Sequence, residues 1–176
     1  YWAQKAGLGW QGKNTTLVSR EFGRWLVIGS IILNREFDSY DKPAKNYCGK
    51  CTDCLDACPT AAFPQPYVLN ATKCISYWTI ESKEEYIPDA VSKNQKGWVF
   101  GCDICNDVCP FNRFAKPRSI EAFKRREGIS LLETGQVTKL DEEEFKNIFQ
   151  NSPLKRPALK GLIRNIKSAK IKSISE

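Results

Sequence analysis

CGKCTDCLDACP, residues 48 to 59, decides how this chain folds. Its cysteines stand at Cys48, Cys51, Cys54 and Cys58, and Pro59 follows the last of them. A second run, CDICNDVCP, sets Cys102, Cys105 and Cys109, and Cys74 stands alone between the two. The C-x-x-C-x-x-C-x-x-x-C-P spacing is one in which thiolates hold cubane iron–sulfur clusters. Each cubane takes four thiolates, so the eight cysteines of the chain make two clusters with none left over. A disulfide framework suits small secreted domains, and cysteines at every third position are hard to bridge outward to separate partners. Zinc pairs come as C-x-x-C, a spacer and a second pair, which is a different rhythm from a triple run closed by Cys-Pro.

The ferredoxin spacing carries a crossover: three cysteines of a run hold one cluster and the fourth ligates the other. This assigns Cys48, Cys51, Cys54 and Cys109 to a first cluster. The second takes Cys58, Cys102, Cys105 and, as the one cysteine remaining, Cys74. The segment between Cys74 and Cys102 is then an insertion grown inside the second motif. Pro59 and Pro110 turn the chain away from helix after the crossing cysteines. Two clusters laced together in this way form a wire for electrons.

With 176 residues, the chain has room for one ordinary domain, or one domain and part of another. Its longest apolar run, WLVIGSIIL from Trp25 to Leu33, has the length of a strand and is too short to span a bilayer, so no membrane partner is expected. There is no histidine, which removes zinc–histidine sites, Ser–His–Asp triads and histidine bases. There is no methionine and the chain opens at Tyr1, so a preceding segment is expected, and with it any signal peptide. The net charge is +7, and the excess is local. After Asn151 stand Lys155, Arg156, Lys160, Arg164, Lys167, Lys170 and Lys172, opposed by Glu176.

Tyr1 to Gly7 reads as the tail of a helix ending at glycine. Thr15 to Val18 and Arg24 to Leu33 read as adjacent strands of a hairpin. Asn34 to Tyr47 is a polar connection. Asn70 to Ser82 and Asp89 to Asn94 read as helical, as does a short stretch from Ile120 to Arg126. Asp141 is a good helix cap for a segment within Thr138 to Gln150, followed by acids and an apolar stripe of Phe145, Ile148 and Phe149. A further amphipathic helix is expected over Leu154 to Lys170, with Leu159, Leu162, Ile163 and Ile166 on one side and Lys160, Arg164 and Lys167 on the other. Two such helices in sequence read as the start of a helical repeat or bundle.

Four motifs come in order: KAGLGWQGKNT at Lys5 to Thr15, the cysteine run with PTAA at Pro59 to Ala62, CISYWTIE at Cys74 to Glu81, and GCDICNDVCPFNRF at Gly101 to Phe114. Together they resemble the tRNA epoxyqueuosine reductases, across essentially the whole chain. The resemblance implies an oxidoreductase that removes the epoxide oxygen of epoxyqueuosine at the wobble position of tRNA. Electrons would pass through two 4Fe-4S clusters to cobalamin, and the reduced cobalt would attack the substrate. The implied fold class is α+β in three parts. Residues 1–47 are the C-terminal part of a cobalamin-binding α/β domain, 48–116 a ferredoxin-like double-cubane module, and 117–176 the start of a HEAT-like helical, tRNA-binding region.

The same resemblance implies site residues. Lys13, Asn14, Thr15, Val18, Gly29, Ser76, Lys83, Cys102 and Asp103 would face cobalamin. Ser82, Lys155, Arg156, Lys160, Arg164 and Lys167 would lie toward tRNA, since phosphate contacts give affinity without reading sequence. For the glycines around Trp10 the plain alternative is a helix end and a tight strand entry, and for the basic helix it is a solvated face. The family's proton-donating aspartate lies shortly before the AGLGW motif, so no catalytic acid is assigned within this chain. A monomer in the cytoplasm with an external electron donor is expected. Two other functions remain open: a ferredoxin-like electron carrier, and a cobalamin-dependent reductase of a small molecule resembling the reductive dehalogenases.

Overall fold

The structure is a computed structural model that describes residues 1–115, 120–121, 124, 128–133 and 135–169. It divides into two compact units that do not follow chain order: Tyr1–Leu69 with Asp103–Arg118, and Asn70–Cys102 with Ser119–Glu176.

The first unit opens with a short helix, α1 (Trp2–Lys5), which the chain leaves at Gly7 with a left-handed φ of 71°. An antiparallel hairpin follows. β1 (Trp10–Gln11) pairs with β2 (Leu17–Val18), Trp10 opposite Val18 and Gln11 opposite Leu17. Gly9 is required by this approach, because a Cβ there would meet the Val18 carbonyl oxygen at 2.2 Å. The hairpin therefore differs from the expected one. Thr15 to Val18 does supply a strand, but its partner is the Trp10 segment across the glycine-rich turn. Residues 25–33 have no regular structure, and Val27, Ile31 and Ile32 are exposed. Their apolar pattern is that of a strand, but a strand exists only where a neighbour accepts its ladder, and no described residue does. Gly29 likewise has no close neighbour: a Cβ there would meet nothing within 4 Å.

Two four-residue helices carry the cysteine runs of this unit. α2 (Asp53–Asp56) contains Cys54, α4 (Ile104–Asp107) contains Cys105, and the two pack together. Each ends two residues before the cysteine of a Cys-Pro step, whose proline has no N–H to continue the helix.

In the second unit the expected helix over Asn70 to Ser82 is divided. Asn70 caps a 3₁₀ turn at Ala71–Lys73, Cys74 is extended, and a π-helical turn covers Tyr77–Glu81. α3 (Asp89–Ser92) lies where a helix was expected. Ile75, Trp78, Ile87 and Val91 bury one another, and Cys102 packs against them. A larger core gathers Leu132, Val137, Phe145, Phe149, Leu154, Leu159, Leu162 and Ile166 from α5 (Ile129–Glu133), α6 (Glu142–Ile148), α7 (Ala158–Ala169) and their connections. Asp141 caps α6 as expected. Its carboxylate accepts from Glu143 N and Glu144 N, and the Glu144 carboxylate accepts in return from Asp141 N. α7 begins later than expected: Pro153–Lys155 forms a 3₁₀ turn, and Pro157, with no N–H to donate, separates it from the α-helix. The helix expected over Ile120 to Arg126 lies mostly outside the described residues, as does Lys170.

No helix among the described residues is long and apolar enough to cross a membrane.

Candidate iron–sulfur site

In the first unit a cavity of about 140 Å³ is lined by Cys48, Cys51, Cys54 and Cys109, with Lys13, Arg24, Tyr47, Pro110 and Phe111 completing the wall. A water needs about 10–15 Å³ on this measure, so the space suits a group of several atoms. Among the described residues no three His, Cys, Asp or Glu side chains close on a point that would hold a single metal ion. The four thiols stand around a larger volume instead, and they are the four that the crossover spacing groups together. This donor set, soft thiolates around a compact cavity, fits a cubane.

The surroundings of this cavity come from the glycine-rich hairpin. The indole Nε1 of Trp10 donates to Cys48 Sγ at 3.3 Å. Trp10 is itself buried, edge-on to Tyr47 and Phe111 at centroid separations of 5.2 and 4.8 Å. Lys13 Nζ donates to the carbonyls of Gly49 and Cys51 at 2.8 and 2.7 Å, gathering the loop between the first two cysteines. Cys48 N donates to Asn46 Oδ1 at 2.8 Å. Burial pushes the Cys54 thiol above its ordinary value, and the Arg24 guanidinium offsets only part of that rise.

Behind the cysteines lies a buried polar network. Asn14 donates to the Cys105 carbonyl and to Asn106 Oδ1, both at 3.3 Å. Arg24 donates through Nη2 to Asn14 Oδ1 and through Nε to Asn106 Oδ1 at 3.0 Å. Asn106 in turn donates to Asp103 Oδ1 at 2.8 Å. Gly12 leaves room for this network, since a Cβ there would stand 2.7 Å from Arg24 Nη1.

The residues expected to face cobalamin are therefore put to varied uses. Lys13 holds the cysteine loop, and Asn14 and Val18 are buried. Thr15, at a φ of 70°, opens onto a second cavity of about 400 Å³, shared with Thr16, Gln4, Gln11, Arg24 and Asn106. Gly29 lies in the irregular exposed segment. Lys13 and Thr15 thus line different cavities of the first unit, and Asn14 and Val18 lie in its interior.

The remaining cysteines are distributed between the units. In the first, Cys58 Sγ accepts from Ala62 N at 3.3 Å and lies 3.6 Å from Thr60 Oγ1, while Cys105 sits in α4. In the second, Cys74 occupies the break between the 3₁₀ and π-helical turns, followed closely by half-buried Ser76, and Cys102 is half-buried.

The residues expected to lie toward tRNA also divide. Lys160 and Lys167 are exposed on α7. Arg164 turns inward. Its Nη1 donates to the carbonyls of Ser82 and Glu84 at 3.1 and 2.6 Å, and its Nη2 donates to the Trp78 carbonyl. These are carbonyls at the end of the π-helical turn, which a cation satisfies well. Burial lowers its pKa from the ordinary arginine value. Ser82 is buried, its Oγ accepting from Glu84 N. Arg156 forms an ion pair with Glu81 at 2.8 Å, and Lys83 and Lys155 donate to the carbonyls of Arg156 and Gln150.

Three residues of these networks were not singled out by sequence. Arg24, Asn165 and Gln95 are all buried polar groups. Asn165 Nδ2 donates to the carbonyls of Thr79 and Val99, both at 2.8 Å, and Gln95 Nε2 donates to those of Trp98 and Asn165 at 2.6 and 3.2 Å. The only hint was position: Asn165 stands inside the apolar stripe of α7.

Comparison with known proteins agrees with this geometry. A model described as the 4Fe-4S double cluster binding domain matches residues 47–112, the segment that carries all eight cysteines. Epoxyqueuosine reductase of Synechocystis sp. is 46% identical over 156 residues, covering 88% of this chain and 54% of that protein. The chain belongs to the epoxyqueuosine reductase family, and it spans about half the length of the curated relatives it matches. The solved epoxyqueuosine reductase of Bacillus subtilis superposes with a TM-score of 0.85 at 32% identity, covering 95% of this chain and 44% of that one. Another, solved with an epoxyqueuosine-modified tRNA-Tyr stem loop, matches with a TM-score of 0.79 at 28% identity, covering 97% and 46%.

Proposed function

We propose that this chain carries the electron-delivering part of a cobalamin-dependent reduction of epoxyqueuosine to queuosine in tRNA. The observation that carries the reading is the convergence of Cys48, Cys51, Cys54 and Cys109 on one cavity beneath the Trp10 indole. Family membership supports the substrate, because a relative is known with an epoxyqueuosine-modified tRNA stem loop. When bound, the clusters supply single electrons and cobalamin supplies a metal centre for the reduction. The second cluster is assigned to Cys58, Cys74, Cys102 and Cys105 on the crossover spacing.

The chain's own residues do the holding. Lys13 donates to the carbonyls of the cysteine loop, Trp10 donates to a ligand sulfur, and Tyr47, Pro110 and Phe111 complete the wall around the cluster. Toward tRNA, the exposed Lys160 and Lys167 of α7 offer backbone phosphate contacts. The proton-donating carboxylate implied by the family is not assigned here. An external donor supplies the electrons, and the setting is the cytoplasm, where tRNA is modified.

The test is product formation. Cluster-loaded protein is incubated with cobalamin, a chemical reductant and tRNA carrying epoxyqueuosine, and the digested nucleosides are read by mass spectrometry. Queuosine in the digest supports the reading. Unchanged epoxyqueuosine beside intact clusters overturns the assignment of the reduction to this chain. A plain electron-transfer module is the competing reading, and one observation favours it: Lys13, Asn14 and Val18 serve the cluster side of the first unit.

A further inference from the structure

Arg24 is buried, at 6% exposure, and among the described residues it forms no ion pair. Its guanidinium is held by two neutral amides, Asn14 and Asn106. Asp103 joins the network through the Asn106 amide and makes no direct bond to Arg24. A buried charge without a partner is costly, because desolvation is not offset by attraction. Arginine cannot escape by losing its proton. Arg24 is also one of the residues that line the cavity of Cys48, Cys51, Cys54 and Cys109. Lys13, another of them, has its ammonium engaged by the Gly49 and Cys51 carbonyls.

We propose that Arg24 is the fixed counter-charge of the cluster held by Cys48, Cys51, Cys54 and Cys109, and that it raises the reduction potential of that cluster. The inference rests on the cluster reading above. A cubane on four thiolates carries net negative charge and becomes more negative when an external donor adds one electron. A cation fixed beside it favours that added electron, and net charge and hydrogen bonding are among the factors that set such potentials. Asn14 and Asn106 are positioning residues. They orient the guanidinium without neutralising it, which a carboxylate in the same place would do. The network is thus suited to presenting charge to the cavity, more than to stabilising the fold.

The experiment is a potentiometric titration of the anaerobically reconstituted protein, followed by EPR, on wild type, Arg24→Gln and Arg24→Lys. One of the two couples in Arg24→Gln shifts at least tenfold toward the oxidised form, which is 59 mV for a one-electron step. Arg24→Lys, with its charge kept, holds the wild-type potential, an outcome that a purely structural role would not single out. Should Arg24→Gln not fold, Asn106→Asp retains Arg24 and sets a carboxylate against its Nε, and the same downward shift is expected. Clusters intact with both potentials unchanged overturn this proposal alone. A wild-type protein that takes up no iron under reconstitution overturns the cluster reading, and this proposal with it.

Discussion

The indole N–H of Trp10 points at the sulfur of Cys48 across 3.3 Å, joining the glycine-rich hairpin to the first thiol of the cysteine run. A ligand sulfur that accepts a hydrogen bond gives up part of its electron density, and the cluster it holds is easier to reduce. Trp10→Phe keeps the aromatic packing against Tyr47 and Phe111 and removes the donor. The expected outcome is full iron content with a potential lowered by tens of millivolts, where 59 mV is tenfold for one electron. Redox titration checks it.

The crossover makes a claim about pairs of cysteines distant in sequence. Cys109→Ala and Cys48→Ala line the same cavity and should each remove the same cluster, leaving about half the iron. Cys74→Ala should remove the other. Iron and acid-labile sulfide assays with EPR of each variant distinguish this from a sequential partition, in which Cys109→Ala would act together with Cys102→Ala.

Asn165 is buried with its amide bonded to the Thr79 and Val99 carbonyls. Asn165→Leu fits the apolar stripe of α7 yet strands both carbonyls and removes the acceptor that Arg164 Nε and Nη2 reach at 3.0 and 2.9 Å. We expect a loss on the order of 3 kcal/mol from two or more unsatisfied buried groups. Denaturant unfolding measures it.

Basic residues of α7 should separate into two kinds. Lys160→Ala with Lys167→Ala leaves the fold intact and lowers the salt dependence of tRNA binding, by a slope of about 2 if each touches a phosphate. Arg164→Ala instead uncaps the carbonyls of Trp78, Ser82 and Glu84 and lowers stability. Filter binding over a salt series and thermal unfolding, run on both, distinguish the two.

These contrasts mark how far the sequence could be read. Asp141 followed by Glu144 is a local signal, and the cap forms as the residues dictate. The stripe of Leu159, Leu162 and Ile166 is equally local, because helical period alone places those side chains on one face. The quartet at the cavity was legible because iron–sulfur ligation imposes its own spacing. Arg164 was not, since nothing in a run of bases says which one will turn toward a helix end. Arg24 and Asn165 depend on partners up to 86 positions away, and no local pattern encodes them. The Trp25 to Leu33 segment shows the converse: a strand pattern is a readiness to pair, and pairing needs a neighbour.

Iron and acid-labile sulfide counted per chain, after anaerobic reconstitution of the unaltered protein, test the central claim most directly. Two clusters give about eight of each, with the EPR of reduced cubanes. About four of each, or zinc retained in place of iron under the same conditions, would contradict it.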